Sequence, residues 1–523
     1  MYLQLGDHSM QATKPSGLEN IHWGIRYGVC IAFLAAVFVY VLSTVGASNY
    51  LLIFAAVTGG YMALNIGAND VANNVGPAVG SGALSLFAAI CIAGVCEAAG
   101  AIIAGGDVVS TIKKGIIDPS LVTDTREYIW LMAGALLGGA LWLNFATWMG
   151  APVSTTHSIV GGVLGAGLAA GGMSIANWPV MGAIVASWVI SPVMGGVIAA
   201  GTLALIKRLI MYRNDKVTAA KTYVPVLVGV MAWAFSVYLI LKGIKKLWKA
   251  ELYQAVLIGA VIAVVVYLFS RRTVIRQALR MDNSRESVNN LFTIPLIFAA
   301  GLLSFAHGAN DVANAVGPLA AIVDAFQGGA IHAKAAIPMW VMLIGAIGLA
   351  VGLAMFGPKL IRTVGGEITE LDKSRAFCIV LAAAVTVIIA SRLGLPVSST
   401  HIALGGVFGV GFLREFLKTR YASQLHKIIA DRTGAERDKL QAYLDNFHNA
   451  PVEEMREMIR KSNVKKLDIS IKKKERKQLK KIYRQELVKR QHLYKIIAAW
   501  IITVPISGAL GALLYFVLRG LSI

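Results

Sequence analysis

Charge is what this chain of 523 residues has little of: charged side chains make up 15% of it, against 56% hydrophobic ones, and the mean hydropathy is +0.66. Soluble domains carry about a quarter charged residues, so the scarcity excludes an ordinary soluble protein and points to a polytopic membrane protein. Cysteine is scarce too. Cys30, Cys91, Cys96 and Cys378 lie in apolar segments without metal-ligand spacing, which excludes a disulfide framework or zinc site and predicts thiols buried in the core. Residues 1–20 lack a basic start followed by an apolar run, so no cleavable signal peptide is expected there.

The net charge of +21 would suggest a nucleic-acid partner in a soluble chain, but its distribution argues otherwise. Residues 413–495 hold 23 lysines and arginines against 11 aspartates and glutamates, a surplus of 12 and more than half of the total. The charge belongs to one loop, and no nucleic acid is expected. Within it, Leu479, Ile482, Tyr483 and Leu487 recur at helical spacing in the Lys-rich tract 461–495, which reads either as an amphipathic helix on anionic lipid or as a solvated helix.

Glycine is plentiful, at 53 residues, as expected where helices pack closely in lipid. Apolar stretches of membrane-spanning length, about 20 residues, cover residues 25–45, 50–68, 82–104, 129–149, 153–171, 179–206, 224–242, 252–270, 292–308, 336–357, 376–392, 397–412 and 496–518. Two elements recur among them. G-A-N-D-V-A-N-N-V-G-P, residues 67–77, returns as G-A-N-D-V-A-N-A-V-G-P, residues 308–318; P-V-S-T-T-H, residues 152–157, returns as P-V-S-S-T-H, residues 396–401. The offsets, 241 and 244 residues, make one domain-sized unit repeated.

Repeats built on breaks inside hydrophobic segments point to a transporter binding site. Each Pro-Val-Ser break reads as the tip of a re-entrant hairpin, and residues 67–77 and their copy read as poor continuous helices. The expected fold is therefore an all-α polytopic membrane protein, an inverted-repeat transporter with two re-entrant helical hairpins. Its expected division is an N-terminal tail and extra helix at 1–49, a first repeat at 50–223, connecting helices and a basic loop at 224–290, a second repeat at 291–412, a basic cytoplasmic insertion at 413–495 and a last transmembrane helix at 496–523. With 413–495 in the cytoplasm, the basic loops 207–221, 271–290 and 358–375 and the N-terminus fall on the same side. Lys242, Lys245, Lys246 and Lys249 fall on the other and dissent. On this count the helix ending at Gly67 runs inward and the one ending at Gly308 outward.

Ser154, Thr155 and Thr156, with Ser398, Ser399 and Thr400, begin the half-helices after the two breaks. A helix N-terminus offers unpaired N–H groups and about half a positive charge, so two meeting ends would surround a small tetrahedral oxyanion; the plainer reading is that these hydroxyls cap their helices. Asn69, Asp70 and Asn73, with Asn310, Asp311 and Asn314, supply carboxylate and amide oxygens fit for a hard cation such as sodium, and residues three apart share a helix face. Their plainer reading is a hydrogen-bond network between repeats. Glu97, lone in an apolar run, is either functional or paired. His157 and His401 read as coupling or gating candidates, or as core histidines. His307 stands where the first copy has Ile66, and breaks the symmetry; Asp107 and Glu367 read as loop or helix-end groups.

At both signatures, G-A-N-D-V-A-N and P-V-S-[ST]-T-H, in both halves, the sequence resembles the inorganic phosphate transporter family, over roughly residues 50–210 and 290–412. The resemblance implies secondary transport of inorganic phosphate without an enzymatic cofactor. Sodium is the co-transported ion in many members; some bacterial ones use protons and a metal–phosphate substrate. It implies phosphate between the two Pro-Val-Ser tips and the coupling ion at Asp70 and Asp311 with their asparagines. It also implies an acid at Glu97 on which transport depends, while Val380 stands where some animal members carry another acid. The expectation is a sodium–phosphate symporter of the bacterial inner membrane with a cytoplasmic N-terminus; proton-coupled phosphate or metal–phosphate symport is the alternative, and self-association is left open. A hydrolase built on Ser154, His157 and Asp70 is disfavoured because every candidate occurs twice, whereas a nucleophile needs one asymmetric site. An anion channel would not need repeated carboxylates.

Overall fold

The computed structural model describes residues 22–122, 124–149, 153–243, 248, 250–279, 281–328, 337–366, 371–429 and 490–521. Pro152, Glu367 and most of the basic insertion, including 461–489, lie outside them. The described residues contain sixteen α-helices and no strand beyond one isolated bridge between Ile117 and Ala176. In chain order these are α1 (Trp23–Val45), α2 (Tyr50–Asn69), α3 (Ala72–Gly80), α4 (Leu86–Ala104), α5 (Gly106–Lys114), α6 (Thr125–Trp148), α7 (Thr155–Gly171) and α8 (Trp178–Ile206). The second set is α9 (Lys216–Tyr238), α10 (Leu252–Ala278), α11 (Arg285–Asn290), α12 (Thr293–Gly328), α13 (Met339–Gly366), α14 (Lys373–Arg392), α15 (Ser399–Ile429) and α16 (Arg490–Gly520). Twelve helical segments among the described residues are long and apolar enough to cross a membrane, one fewer than the thirteen apolar stretches read from sequence. Residues up to 410 and from 491 form one compact unit; of the second, 411–490, only the end of α15 and the first residue of α16 are described.

The helices begin where side-chain oxygens can take the unpaired first-turn N–H groups: Asp124 caps α6, Ser154 α7, Asn177 α8, Asp215 α9 and Asp372 α14. Asp372 accepts from the Arg375 N–H at 2.9 Å and lies 3.1 Å from the Arg375 guanidinium and 3.5 Å from that of Arg285. Burial alone would raise its pKa, but Arg375 above all holds the carboxyl below the usual range. A depressed folded-state pKa gives stability that is present above the ordinary carboxylate value and is lost as the pH falls through the depressed one. Asp372→Ala is therefore expected to cost about 1 kcal/mol at pH 7. Thermal melts should show that deficit shrinking below about pH 4.

Packing repeats the internal duplication with partners exchanged. A Cβ on Gly67 of α2 would lie 2.0 Å from the Leu349 carbonyl oxygen of α13, and one on Gly308 of α12 would lie 2.1 Å from the Glu97 carbonyl oxygen of α4. The reverse contacts match: Gly100 of α4 abuts the Phe305 backbone, and Gly352 of α13 abuts that of Leu64. In the same way Gly161 and Gly165 of α7 face Val504 and Gly508 of α16, while Gly405 and Gly409 of α15 face Pro192 and Gly196 of α8. The two motif helices run antiparallel, because Gly59 faces Leu319 at one end and Asn74 and His307 share Glu97 further along.

Two expectations change. The first copy only tightens between α2 and α3, with Asp70 and Val71 still helical and the Asn73 and Asn74 N–H groups bonding three residues back, and the second runs unbroken through α12. The copies differ beside it: His307 lies 2.6 Å from Asp311 one turn on where the first copy has Ile66, and Asn74 donates to Glu97 where the second has Ala315. Nor are all thiols core: Cys30 and Cys378 are buried, but Cys96 is half-buried and Cys91 exposed on α4.

The basic loops meet on one face. Asn283 joins Asn214 and Lys216, Arg285 joins Asp372, and Lys373 joins Asn290. Lys242, from the dissenting loop, is ion-paired with Asp107 in the first turn of α5.

Candidate substrate and ion site

The two hairpins, α6–α7 and α14–α15, bring their breaks to the same place. α6 and α7 lie antiparallel, Gly139 facing Ser158 and Gly162 facing Ala135, and Gly406 of α15 packs in the same sense on Ile379 of α14. The second tip turns at Gly394, whose φ of +68° suits glycine; the Gly394 carbonyl accepts from the Thr111 hydroxyl of α5 at 2.7 Å. The Thr156 hydroxyl donates to the Val397 carbonyl at 3.0 Å, so the start of α7 touches the end of the other break. Ser154 and Ser398 cap their own helices, accepting from the N–H groups of His157 and His401.

At this junction the carboxylates and hydroxyls interlock across the halves. Asp70 accepts from the Thr155 hydroxyl and from the Thr400 hydroxyl, both at 2.6 Å. Those hydroxyls in turn accept amide hydrogens, Thr400 from Asn73 at 2.8 Å and Thr155 from Asn314 at 3.1 Å; Asn314 also reaches Thr156 at 3.2 Å. Asp311 accepts from the Ser399 hydroxyl at 3.1 Å. All of these side chains are buried. Ligand atoms of Asp70, Asp311 and His307 lie within 4.8 Å of one another. Two carboxylates that close in a low-dielectric interior need positive charge between them. Oδ1 of Asp311 and Oδ1 of Asn314 are buried acceptors with no hydrogen-bond donor among the described residues, which is the chemistry a hard cation seeks.

Other expected site residues turn elsewhere. Asn310 bonds the second hairpin, donating to Ser391 and Leu395 and accepting from the Val397 N–H. Asn69 donates to Thr147 of the first, 244 residues before Ser391. These two brace the hairpins, although Oδ1 of Asn69 remains a buried acceptor without a donor. His157 and His401 sit behind the tips, their rings 4.5 Å apart at centroid and flanked by Trp188 at 3.8 Å and Trp500 at 3.5 Å. Trp188 also donates to the Pro396 carbonyl. Glu97 is paired: it accepts from Asn74 at 2.7 Å and lies 2.7 Å from His307 Nδ1, whose Nε2 lies 2.6 Å from Asp311. Sequence reasoning missed Thr147, Ser391, Thr111 and Asn74. Asn74 carried a legible signal, as one of the few positions where the two motif copies differ.

The sequence profile of the phosphate transporter family matches residues 66–511. A Helicobacter pylori protein assigned as a phosphate permease is 52% identical over 506 residues, covering 94% of this chain and 95% of its own length. A Pyrococcus abyssi protein with the same assignment is 40% identical over 364 residues, 69% of this chain and 89% of its own. Among solved structures, a sodium-dependent phosphate transporter superposes with a TM-score of 0.73 at 31% identity, over 90% of this chain and 99% of that one.

Proposed function

This chain belongs to the phosphate transporter family and carries phosphate across a membrane, and we propose that it does so as a secondary active importer of inorganic phosphate, coupled to sodium and working by alternating access. The observation that carries the sodium reading is the buried pair Asp70 and Asp311 converging within 4.8 Å, with donor-free oxygens on Asp311 and Asn314 beside it. The likeness to a sodium-dependent transporter supports it. Sodium would draw on Asp70, Asn73, Asp311 and Asn314, with Asn69 contributing its free oxygen. Asn310, which bonds the second hairpin through both amide hydrogens and its oxygen, would hold that hairpin beside the ion.

Phosphate would lie against the N-termini of α7 and α15, at Ser154, Thr155, Thr156, Ser398, Ser399 and Thr400, where first-turn N–H groups and helix dipoles favour an anion. The coupling follows from the hydroxyls. Thr155 and Thr400 both spend their protons on Asp70. A cation on that carboxylate competes for the same oxygens and frees the two hydroxyls to turn toward the anion. Coupling of this kind is reciprocal, so phosphate raises sodium affinity by the factor by which sodium raises that of phosphate.

An inverted repeat is supported by the antiparallel motif helices and their exchanged partners, and re-entrant hairpins by the meeting of their breaks. The contact among the three basic loops supports a common cytoplasmic side, with the N-terminus there too and the bacterial inner membrane as the setting. The His157–His401 ring cluster would then hold the tips together and part as the site opens.

The test is uptake of labelled phosphate into proteoliposomes under an imposed sodium gradient at fixed pH. Accumulation that follows the sodium gradient is expected. Uptake indifferent to sodium but driven by a proton gradient would replace this reading with proton-coupled symport of phosphate or metal–phosphate.

A further inference from the structure

The duplication can be compared position by position, because the exchanged contacts fix which residues correspond. Leu64 and Phe305 are 241 residues apart, as are the motif glycines; Gly100 and Gly352 are 252 apart, which pairs Glu97 with Leu349. On this register His307 corresponds to Ile66, Asn74 to Ala315 and Glu97 to Leu349. One side of the pseudo-two-fold axis thus holds a fully buried Glu-His-Asn cluster joined by contacts of 2.7 Å. The other holds Ile66, Ala315 and Leu349, fully buried members of one apolar core.

The same fold accepts apolar side chains at all three positions, so the polar cluster is not required for packing. Replacing buried charged groups by apolar ones of similar volume is often neutral or stabilising. A further difference follows on the carboxylates. Asp70 has both oxygens taken by hydroxyls, whereas Asp311 meets His307 Nε2 and the Ser399 hydroxyl through Oδ2 alone, and keeps Oδ1 without a donor beside that of Asn314.

We infer that His307, itself fixed by Glu97 and Asn74, is a positioning residue that holds Asp311 with one oxygen turned out for sodium. Because the device exists in one copy, the two Asn-Asp motifs are unequal ion sites: Asp311 is the primary sodium carboxylate, and Asp70 is the switch that governs the hydroxyls. The inference rests on the sodium reading above. It rests also on the close approach of both ring nitrogens, Nδ1 hydrogen-bonded to Glu97 and Nε2 2.6 Å from Asp311 Oδ2 in an ion-pair contact without hydrogen-bond geometry. Partners of this kind, one shell out from an ion, are worth about tenfold to a hundredfold in ion affinity.

The experiment measures phosphate binding to the purified full-length protein by calorimetry across a sodium series at fixed pH. If sodium does not strengthen phosphate binding to the wild type, the sodium reading itself fails, whatever the variants do. Given that response, His307→Gln, which can engage only one of the two carboxylates, should need about tenfold more sodium or beyond for half effect. Phosphate affinity at saturating sodium should stay within about twofold, since Asp70 and the hydroxyls are untouched. The triple variant Asn74→Ala, Glu97→Leu, His307→Ile installs the other half's residues; it should melt no lower than the wild type and show the same sodium deficit. Unchanged sodium dependence in His307→Gln overturns the inference. So does an equal loss in phosphate affinity at saturating sodium, or a triple variant that fails to fold, since either would make the cluster structural.

Discussion

Asp70→Asn is expected to abolish sodium-driven accumulation of phosphate while leaving the protein folded. The substitution keeps the shape of the side chain but removes the charge that receives the Thr155 and Thr400 hydroxyls at 2.6 Å. The ion loses a charged partner, but the competing hydroxyl bonds, each worth about 1.5–3 kcal/mol, weaken as well, so half-saturating sodium should rise by less than about tenfold. A second consequence separates this residue from a plain ligand. With the hydroxyls no longer held by a carboxylate, phosphate binding to the variant should depend less steeply on sodium. Asp311→Asn should weaken sodium more, roughly tenfold to a hundredfold, since it removes the charge behind a donor-free oxygen. Proteoliposome uptake against sodium concentration, with thermal melts of the purified variants alongside, decides the matter. Near-normal sodium-driven uptake in both would remove the ion site from these motifs.

The second large effect is steric. Gly308→Ala puts a methyl group 2.1 Å from the Glu97 carbonyl oxygen, backbone against backbone, where no side chain can give way. α4 and α12 must separate by most of an ångström, and Glu97 leaves His307. Overpacking of this sort costs about 1–3 kcal/mol and occasionally more, so a clear drop in the thermal midpoint and loss of uptake are expected. Gly67→Ala, Gly100→Ala and Gly352→Ala should behave alike, because each would bring a Cβ to about 2 Å from a carbonyl oxygen. Gly182→Ala and Gly201→Ala on α8 have nothing within 4 Å and serve as controls. Melting curves that do not distinguish the two sets would show that the helices can shift without penalty.

The helical membrane fold was legible in the sequence, and two motifs, each occurring twice, marked where its polar chemistry gathers, because polar residues in an apolar run are costly and have few uses. Which copy serves which partner was not legible. Asp70 bonds Thr155 of its own half and Thr400 of the other, and no spacing along the chain encodes a contact across 330 residues. Near-identity of the motifs also hid their difference: the pattern around Asp311 reads as a break, yet α12 is continuous. Ser154 and Ser398 read from sequence either as anion donors or as caps, and both do cap their helices, accepting from the His157 and His401 N–H groups. Asn310 shared a letter with Asn69, and each amide bonds its own hairpin, Asn310 to Ser391 and Val397 and Asn69 to Thr147.

The exchanged packing also sets a timetable for biogenesis. Gly67 rests on Leu349, which is made about 280 residues later, and at roughly 5–20 residues per second that is a wait of about 15–60 s. Throughout that interval the newly inserted first half exposes a glycine-lined helix face and an unpartnered Asn-Asp motif to lipid or to the insertion machinery. Yield in a cell should therefore depend on whatever shelters that face until synthesis reaches α13, and slowing translation between the halves should lower it.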